Sequence, residues 1–103
     1  MILTTLEKIA QYTQGFSFEQ FRAGSKTVDA VVRNLEVIGE AARQVPKDFA
    51  AEYPEIPWAK MVGLRNKILH EYFGVDVEIL WQTIREDFPP LKTQVKKASE
   101  SPG

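Results

Sequence analysis

Cysteine is absent from the 103 residues. That excludes disulfides and thiolate metal sites, and it fits a reducing, cytoplasmic setting. Histidine occurs once, at His70. One chain therefore lacks the ligands for a His-rich mononuclear centre, and neither a metal nor another cofactor is expected. No stretch approaches the roughly 20 apolar residues of a membrane span, so no membrane association is expected. The start, Met1-Ile2-Leu3-Thr4-Thr5, has no basic region and no long apolar run, and no signal peptide is read there. An excess of charge is also missing: the formal net charge is −1. Bulk electrostatics do not advertise a nucleic-acid binder, so any phosphate chemistry must come from a local cluster. What remains is 44% hydrophobic and 26% charged, an ordinary globular balance in a length that fits one domain. A domain this small buries only about 60–70% of its unfolded surface, which makes oligomerisation a cheap route to stability.

Ile2, Leu6 and Ile9 recur at helical spacing and predict a short amphipathic helix to about Tyr12, stopped at Gly15. Phe16, Phe18 and Phe21 predict a hydrophobic plug, with Ser17 capping a short helix from Phe18. The clearest pattern can be capped by Ser25 or Thr27 and runs to about Gln44 or Val45, where Pro46 stops it. Val28, Val31, Val32, Leu35, Ile38, Ala42 and Val45 share one face of that helix. Gly39 interrupts the stripe at a cost of about 1 kcal/mol relative to alanine, and close approach of a neighbouring helix is the expected reason.

Lys47 to Pro57 reads as a connector broken by prolines, with Phe49 and Tyr53 packing back on the core. A third helix is predicted from about Trp58 to Tyr72, with Pro57 in its first turn. Asp76 caps the last helix, which carries Ile79, Leu80, Ile84 and Phe88 and is interrupted at Pro89-Pro90 before a short continuation through Leu91 and Val95. Residues 1–95 form the expected domain and 96–103 a disordered polar tail. There are no internal repeats. Four helices with short links and no strand pattern predict an all-α antiparallel four-helix bundle with short extra helices.

The segment Arg65-Asn66-Lys67-Ile68-Leu69-His70-Glu71-Tyr72 concentrates the reactive side chains. On an unbroken helix, Met61, Leu64, Ile68, Leu69 and Tyr72 fall within about 100° of Arg65, and Lys60, Lys67 and Glu71 fall opposite. Arg65 then points along an apolar stripe, where a guanidinium must be paired or must line a cleft. On the same projection Tyr72 lies about 20° from Arg65, and Asn66 and His70 lie about 40° apart. Each residue also has a plain structural reading. Arg65 can pair Glu36 or Glu40 across the bundle. His70 can complement a helix C-terminus or sit in the core, Tyr72 can be a core-edge residue, and Asn66 can cap or be solvated. Singly, none of them argues for an enzyme.

Together, these eight residues resemble the R-x4-H-x-Y signature of the HepT-like family of HEPN proteins, with Asn after the Arg. The block from Thr27 to Ala42 resembles that family's second helix. Tyr53-Pro54-Glu55-Ile56-Pro57-Trp58 and Phe73-Gly74-Val75-Asp76 resemble the turns around its motif helix, and Pro89-Pro90-Leu91 its C-terminal block. The similarity covers nearly the whole chain. In one respect the sequence departs from the pattern: family members begin a turn or two earlier, with a longer first helix.

The resemblance implies a HEPN-type helical bundle acting as a homodimeric, metal-independent endoribonuclease toxin. It makes Arg65, His70 and Asn66 the catalytic candidates and RNA the substrate. It also implies an MntA-type nucleotidyltransferase antitoxin as partner, which neutralises the toxin by adenylylating Tyr72. The chemistry is compatible. Attack by a ribose 2′-OH needs a proton acceptor, a proton donor and a cation for the developing phosphorane charge. His70 can exchange protons near neutrality, Arg65 can grip phosphate bidentately, and Asn66 can orient a phosphate oxygen or the imidazole. A non-catalytic helical subunit that binds substrate for, or docks with, a nucleotidyltransferase is the alternative. A purely structural dimerisation domain is a third reading.

Overall fold

The computed structural model describes residues 2–70 and 74–100, with His70 described in its backbone only. The fold is all-α, as the patterning predicts. Helix α1, Ile2–Thr13, buries Thr5, Leu6, Ile9 and Thr13 on one face. Thr13 closes it by donating its hydroxyl to the Ile9 carbonyl at 2.9 Å, and Gly15 at φ 77° turns the chain, a conformation glycine adopts without a Cβ clash. Helix α2, Phe18–Ala23, opens on a full capping box. Ser17 Oγ accepts from the Gln20 N–H, and Gln20 Oε1 accepts from the Ser17 N–H. Its Phe21 is fully buried and lies 5.1 Å from the Trp81 ring.

Helix α3, Ser25–Arg43, is the central spine, burying Val28, Val31, Leu35, Ile38, Gly39 and Ala42; it starts from Gly24 with no side-chain cap, so Ser25 and Thr27 lie inside the helix and neither caps it. It packs against α1 and against two short helices, α5 (Trp58–Val62) and α6 (Leu64–Ile68). Gly39 has the expected role. A Cβ placed there would lie 3.4 Å from the Met61 carbonyl oxygen and 3.4 Å from that of Val62. Those contacts sit at the edge of normal van der Waals distance, so only a bare or nearly bare backbone lets α5 cross here.

Two predicted elements differ. The connector after Pro46 contains a helix, α4, Lys47–Glu52. Pro46 has no N–H to lose at a helix start, and Lys47-Asp48-Phe49-Ala50-Ala51 carries no breaker. Phe49 is exposed rather than core, its ring 5.0 Å from that of Tyr53. The predicted third helix, Trp58 to Tyr72, is also shorter than expected. It breaks at Gly63 and ends at Ile68. Leu69–His70 then forms a two-residue strand, β1, antiparallel to β2, Gly74–Val75.

After β2, Asp76 caps α7, Val77–Gln82, accepting from the Ile79 N–H at 3.0 Å, as predicted. The chain continues through a π-helical turn, Thr83–Asp87, into α8, Phe88–Glu100. Pro89 and Pro90 therefore do not interrupt the last helix. They occupy the first turn of α8, where a missing N–H is least costly, and the Phe88 N–H has already bonded five residues back to Thr83. The helix also runs past residue 95, where the sequence reading ended the domain. Residues 96–100 continue the helix, with Ala98 buried and the other four exposed. Residues 101–103 of the expected tail lie outside the described residues.

Gly39 yields a size series. Gly39→Ala is expected to stay within about 1 kcal/mol of wild type, because gained helix propensity offsets a tight contact. Gly39→Leu should cost about 2 kcal/mol or more by pushing α5 off α3. Urea denaturation midpoints of the three proteins check this, and a Leu variant as stable as wild type would refute the close approach.

Candidate active site around Arg65 and His70

Arg65 lies on α6, whose inward face buries Leu64 and Ile68. The guanidinium is not in the apolar stripe. The break at Gly63 and the shortness of α6 turn it outward, and its side chain is 58% exposed. Its Nε–H donates to Glu36 Oε1 on α3 at 2.9 Å, and Glu36 is 44% exposed. This is one of the two pairings open in the sequence. The other candidate, Glu40, pairs with Arg43 at 2.8 Å and accepts from Gln44 at 3.2 Å.

The pairing geometry matters for chemistry. The Nε edge of Arg65 is tethered, while its two terminal nitrogens make no hydrogen bond or ion pair with the described residues. Those nitrogens form the fork that binds a phosphate with two parallel hydrogen bonds. An exposed pair contributes roughly 0–1 kcal/mol to stability, so Glu36 can hold the guanidinium's direction without locking it away.

Asn66 is the next residue on α6 and is exposed. His70 is not on a helix. Leu69 leaves helical backbone at ψ 123°, and His70 pairs with Gly74 in the ribbon. The i, i+4 helical relation between Asn66 and His70 therefore does not hold, because α6 ends between them. The His70 side chain and all of Tyr72 lie outside the described residues. The projection that placed Tyr72 beside Arg65 assumed a helix that stops at Ile68.

The sequence pattern did not reveal what ends α6. The Ile68 carbonyl accepts from the Asp76 N–H at 2.8 Å, a bond across the ribbon rather than along the helix. Gly74 takes φ 75°, a conformation a side chain resists. Gly74 and the capping Asp76 signal a turn between two helices, and no residue signal marks the earlier end at Ile68.

Both Glu36→Ala and Arg65→Ala should unfold within about 1 kcal/mol of wild type, as expected for an exposed pair. Gly74→Ala should cost about 1 kcal/mol or more through backbone strain alone. Thermal melts check both. A loss of several kcal/mol in Arg65→Ala would mean that Arg65 mainly holds the fold.

Comparison with known proteins places this arrangement. The family model described as ribonuclease HepT-like matches residues 2–98. A chain of Thermococcus cleftensis named probable ribonuclease HepT is 47% identical over 96 residues, covering 93% of this chain and 87% of that one. A provisionally named RNase of Caldanaerobacter subterraneus is 42% identical over 96 residues, covering 93% and 86%. Another from Methanocaldococcus jannaschii is 39% identical over 95 residues, covering 92% and 87%. No solved structure matches the chain. With similarity extending through both arms of the site and the helices that carry them, the chain belongs to the HepT-like ribonuclease family.

Proposed function

We propose that this protein is a metal-independent endoribonuclease, working as a homodimer in the cytoplasm as the toxin of a HEPN/MNT toxin–antitoxin pair. One observation carries the reading. Arg65 is steered at its Nε by Glu36 yet remains more than half exposed, with its terminal fork unpartnered among the described residues, on the helix that leads directly to His70. The relatives' names as ribonucleases support it.

The reaction balances with the groups this chain supplies. A base takes the proton of a ribose 2′-OH, O2′ bonds to phosphorus, and the P–O5′ bond breaks. The departing 5′ oxygen takes a proton from an acid, leaving a 2′,3′-cyclic phosphate and a 5′-hydroxyl. One imidazole cannot be base and acid in the same step. A second copy of the chain supplies the second histidine and a second arginine, so the dimer is a chemical requirement of the mechanism. Arg65 neutralises the charge that builds on the non-bridging oxygens, and Asn66 orients one of those oxygens or the ring. Unpaired bases stacking on Tyr72 or Phe73 would favour single-stranded RNA.

Regulation follows from the same site. An MntA-type nucleotidyltransferase would transfer AMP from ATP to the Tyr72 hydroxyl, with pyrophosphate leaving. The product adds bulk and a negative phosphodiester that competes with RNA for Arg65.

Wild type should cut RNA in the presence of a metal chelator and leave cyclic-phosphate ends. His70→Ala and Arg65→Ala, folded and dimeric, should each lose about 100-fold or more in rate. If wild type is inert, or His70→Ala cuts equally well, the chain is a binding or docking subunit for a nucleotidyltransferase. Intact-mass analysis after incubation with the partner and ATP should show AMP-sized additions that vanish in Tyr72→Phe. Unchanged mass would remove the adenylylation step while leaving the nuclease intact.

A further inference from the structure

On the side of α5 and α6 away from the Arg65–Glu36 pair lies a cleft of about 610 Å³ between those helices and the start of α8. That volume is within the roughly 300–1,000 Å³ range of small-ligand sites. Its lining includes four buried core residues, Met61 and Leu64 on one wall and Phe88 and Leu91 on the other. Lys60 and Lys67 also line it. The ion pairs among the described residues are Arg22–Glu19, Arg43–Glu40 and Arg65–Glu36, so both ammonium groups lack a carboxylate partner there. Yet two carboxylates, Glu55 and Asp87, line the same cleft. Exposed lysines usually answer nearby carboxylates at little cost; here the two signs share one cleft unpaired.

The walls are irregular on both sides. Gly63, the break between α5 and α6, presents bare backbone to the cleft. Opposite it, Thr83 and Asp87 come from the π-helical turn. Single π turns in otherwise regular helices recur at functional sites, because the widened turn re-aims side chains. The two helix irregularities thus line one apolar-floored cleft from opposite sides.

We propose that this cleft is a nucleotide-binding subsite. The apolar floor takes the flat face of a base, and Lys60 and Lys67 take its phosphate. Glu55 and Asp87 accept hydrogen bonds from an exocyclic amino group, which favours cytosine, adenine or guanine over uracil. The ligand chemistry is a nucleoside monophosphate. It can come from a free nucleotide or from a nucleotide of an RNA strand lying across α6.

The test uses the intact wild-type chain and observes its backbone amides by NMR, with no cleavage involved. Titration with 5′-CMP and 5′-AMP should give saturable shifts at Gly63, Lys67, Thr83 and Asp87, and 5′-UMP should bind several-fold more weakly. The double variant Lys60→Glu/Lys67→Glu should weaken 5′-CMP binding by about tenfold or more, whereas Lys60→Arg/Lys67→Arg should stay near wild type. Rising salt should weaken wild-type binding more than binding to the glutamate variant. A 2′-O-methyl oligonucleotide that moves the same amides assigns the subsite to the RNA strand, and shifts with mononucleotides alone assign it to a free nucleotide. The proposal is overturned if no probe shifts these amides at roughly 10 mM, or if the folded glutamate variant binds 5′-CMP as well as wild type. Because cleavage is not the readout, its failure is separable from failure of the nuclease reading at Arg65 and His70.

Discussion

The crossing of α3 and α5 at Gly39 fixes the rest of the molecule. With no side chain at that position, the Met61 and Val62 carbonyls come down onto the spine. Glu36 sits on α3 about one turn before the crossing, and Arg65 sits on α6 about one turn after it. The close crossing brings the two side chains within reach of each other. A larger residue at 39 would lift α5, and α6 with it. A guanidinium that must reach an exposed carboxylate across the bundle would then lose its bearing. The pair itself contributes little to stability. Its value lies in direction: Nε is held and the terminal fork is presented to solvent.

The helices near this crossing are repeatedly imperfect. A break at Gly63, an early end at Ile68, a two-residue ribbon and a π turn all fall within one third of the chain. Each departure has a local cause. Gly63 weakens helix propensity, and the Ile68 carbonyl accepts from the Asp76 N–H. Gly74 allows φ 75°. The π bond from Phe88 to Thr83 prepares a first turn that tolerates two prolines. Regular packing from α1, α3 and α8 supports these defects. Leu6, Ile9, Val31, Leu35 and Ile38 are fully or almost fully buried. The irregular stretch contributes to the same core through Met61, Ile68 and Leu80, and it also carries the exposed arginine and the backbone of His70.

Much of this was legible in the sequence because burial and capping are local. The stripe on α3 follows from 3.6-residue periodicity, the capping box at Ser17 and the cap at Asp76 from short-range hydrogen bonding, and Gly39 from being the odd residue in an apolar face. The grouping of Arg65, Asn66, His70 and Tyr72 was legible as a pattern of residue types, and so was Glu36 as a possible partner of Arg65. The helix through Tyr72 was not. Periodicity over Met61, Leu64 and Ile68 continues smoothly into Leu69 and Tyr72, and nothing apolar marks the point where the chain leaves the helix. Likewise, Pro89-Pro90 reads as a breaker unless the preceding turn is known to be π-helical.

By itself, the sequence determined the all-α class, the spine, the caps at Ser17 and Asp76 and the family's motif, because each depends on residues within a few positions of one another. Only the tertiary structure decided that Arg65 faces solvent rather than core, that Glu36 and not Glu40 holds it, and that His70 stands on extended backbone. It also decided that Lys60 and Lys67 share a cleft with Phe88 and Asp87. These outcomes depend on where separate helices cross, and that is set by the close approach at Gly39 and by a carbonyl–amide bond from Ile68 to Asp76. Both join positions whose pairing no local pattern records.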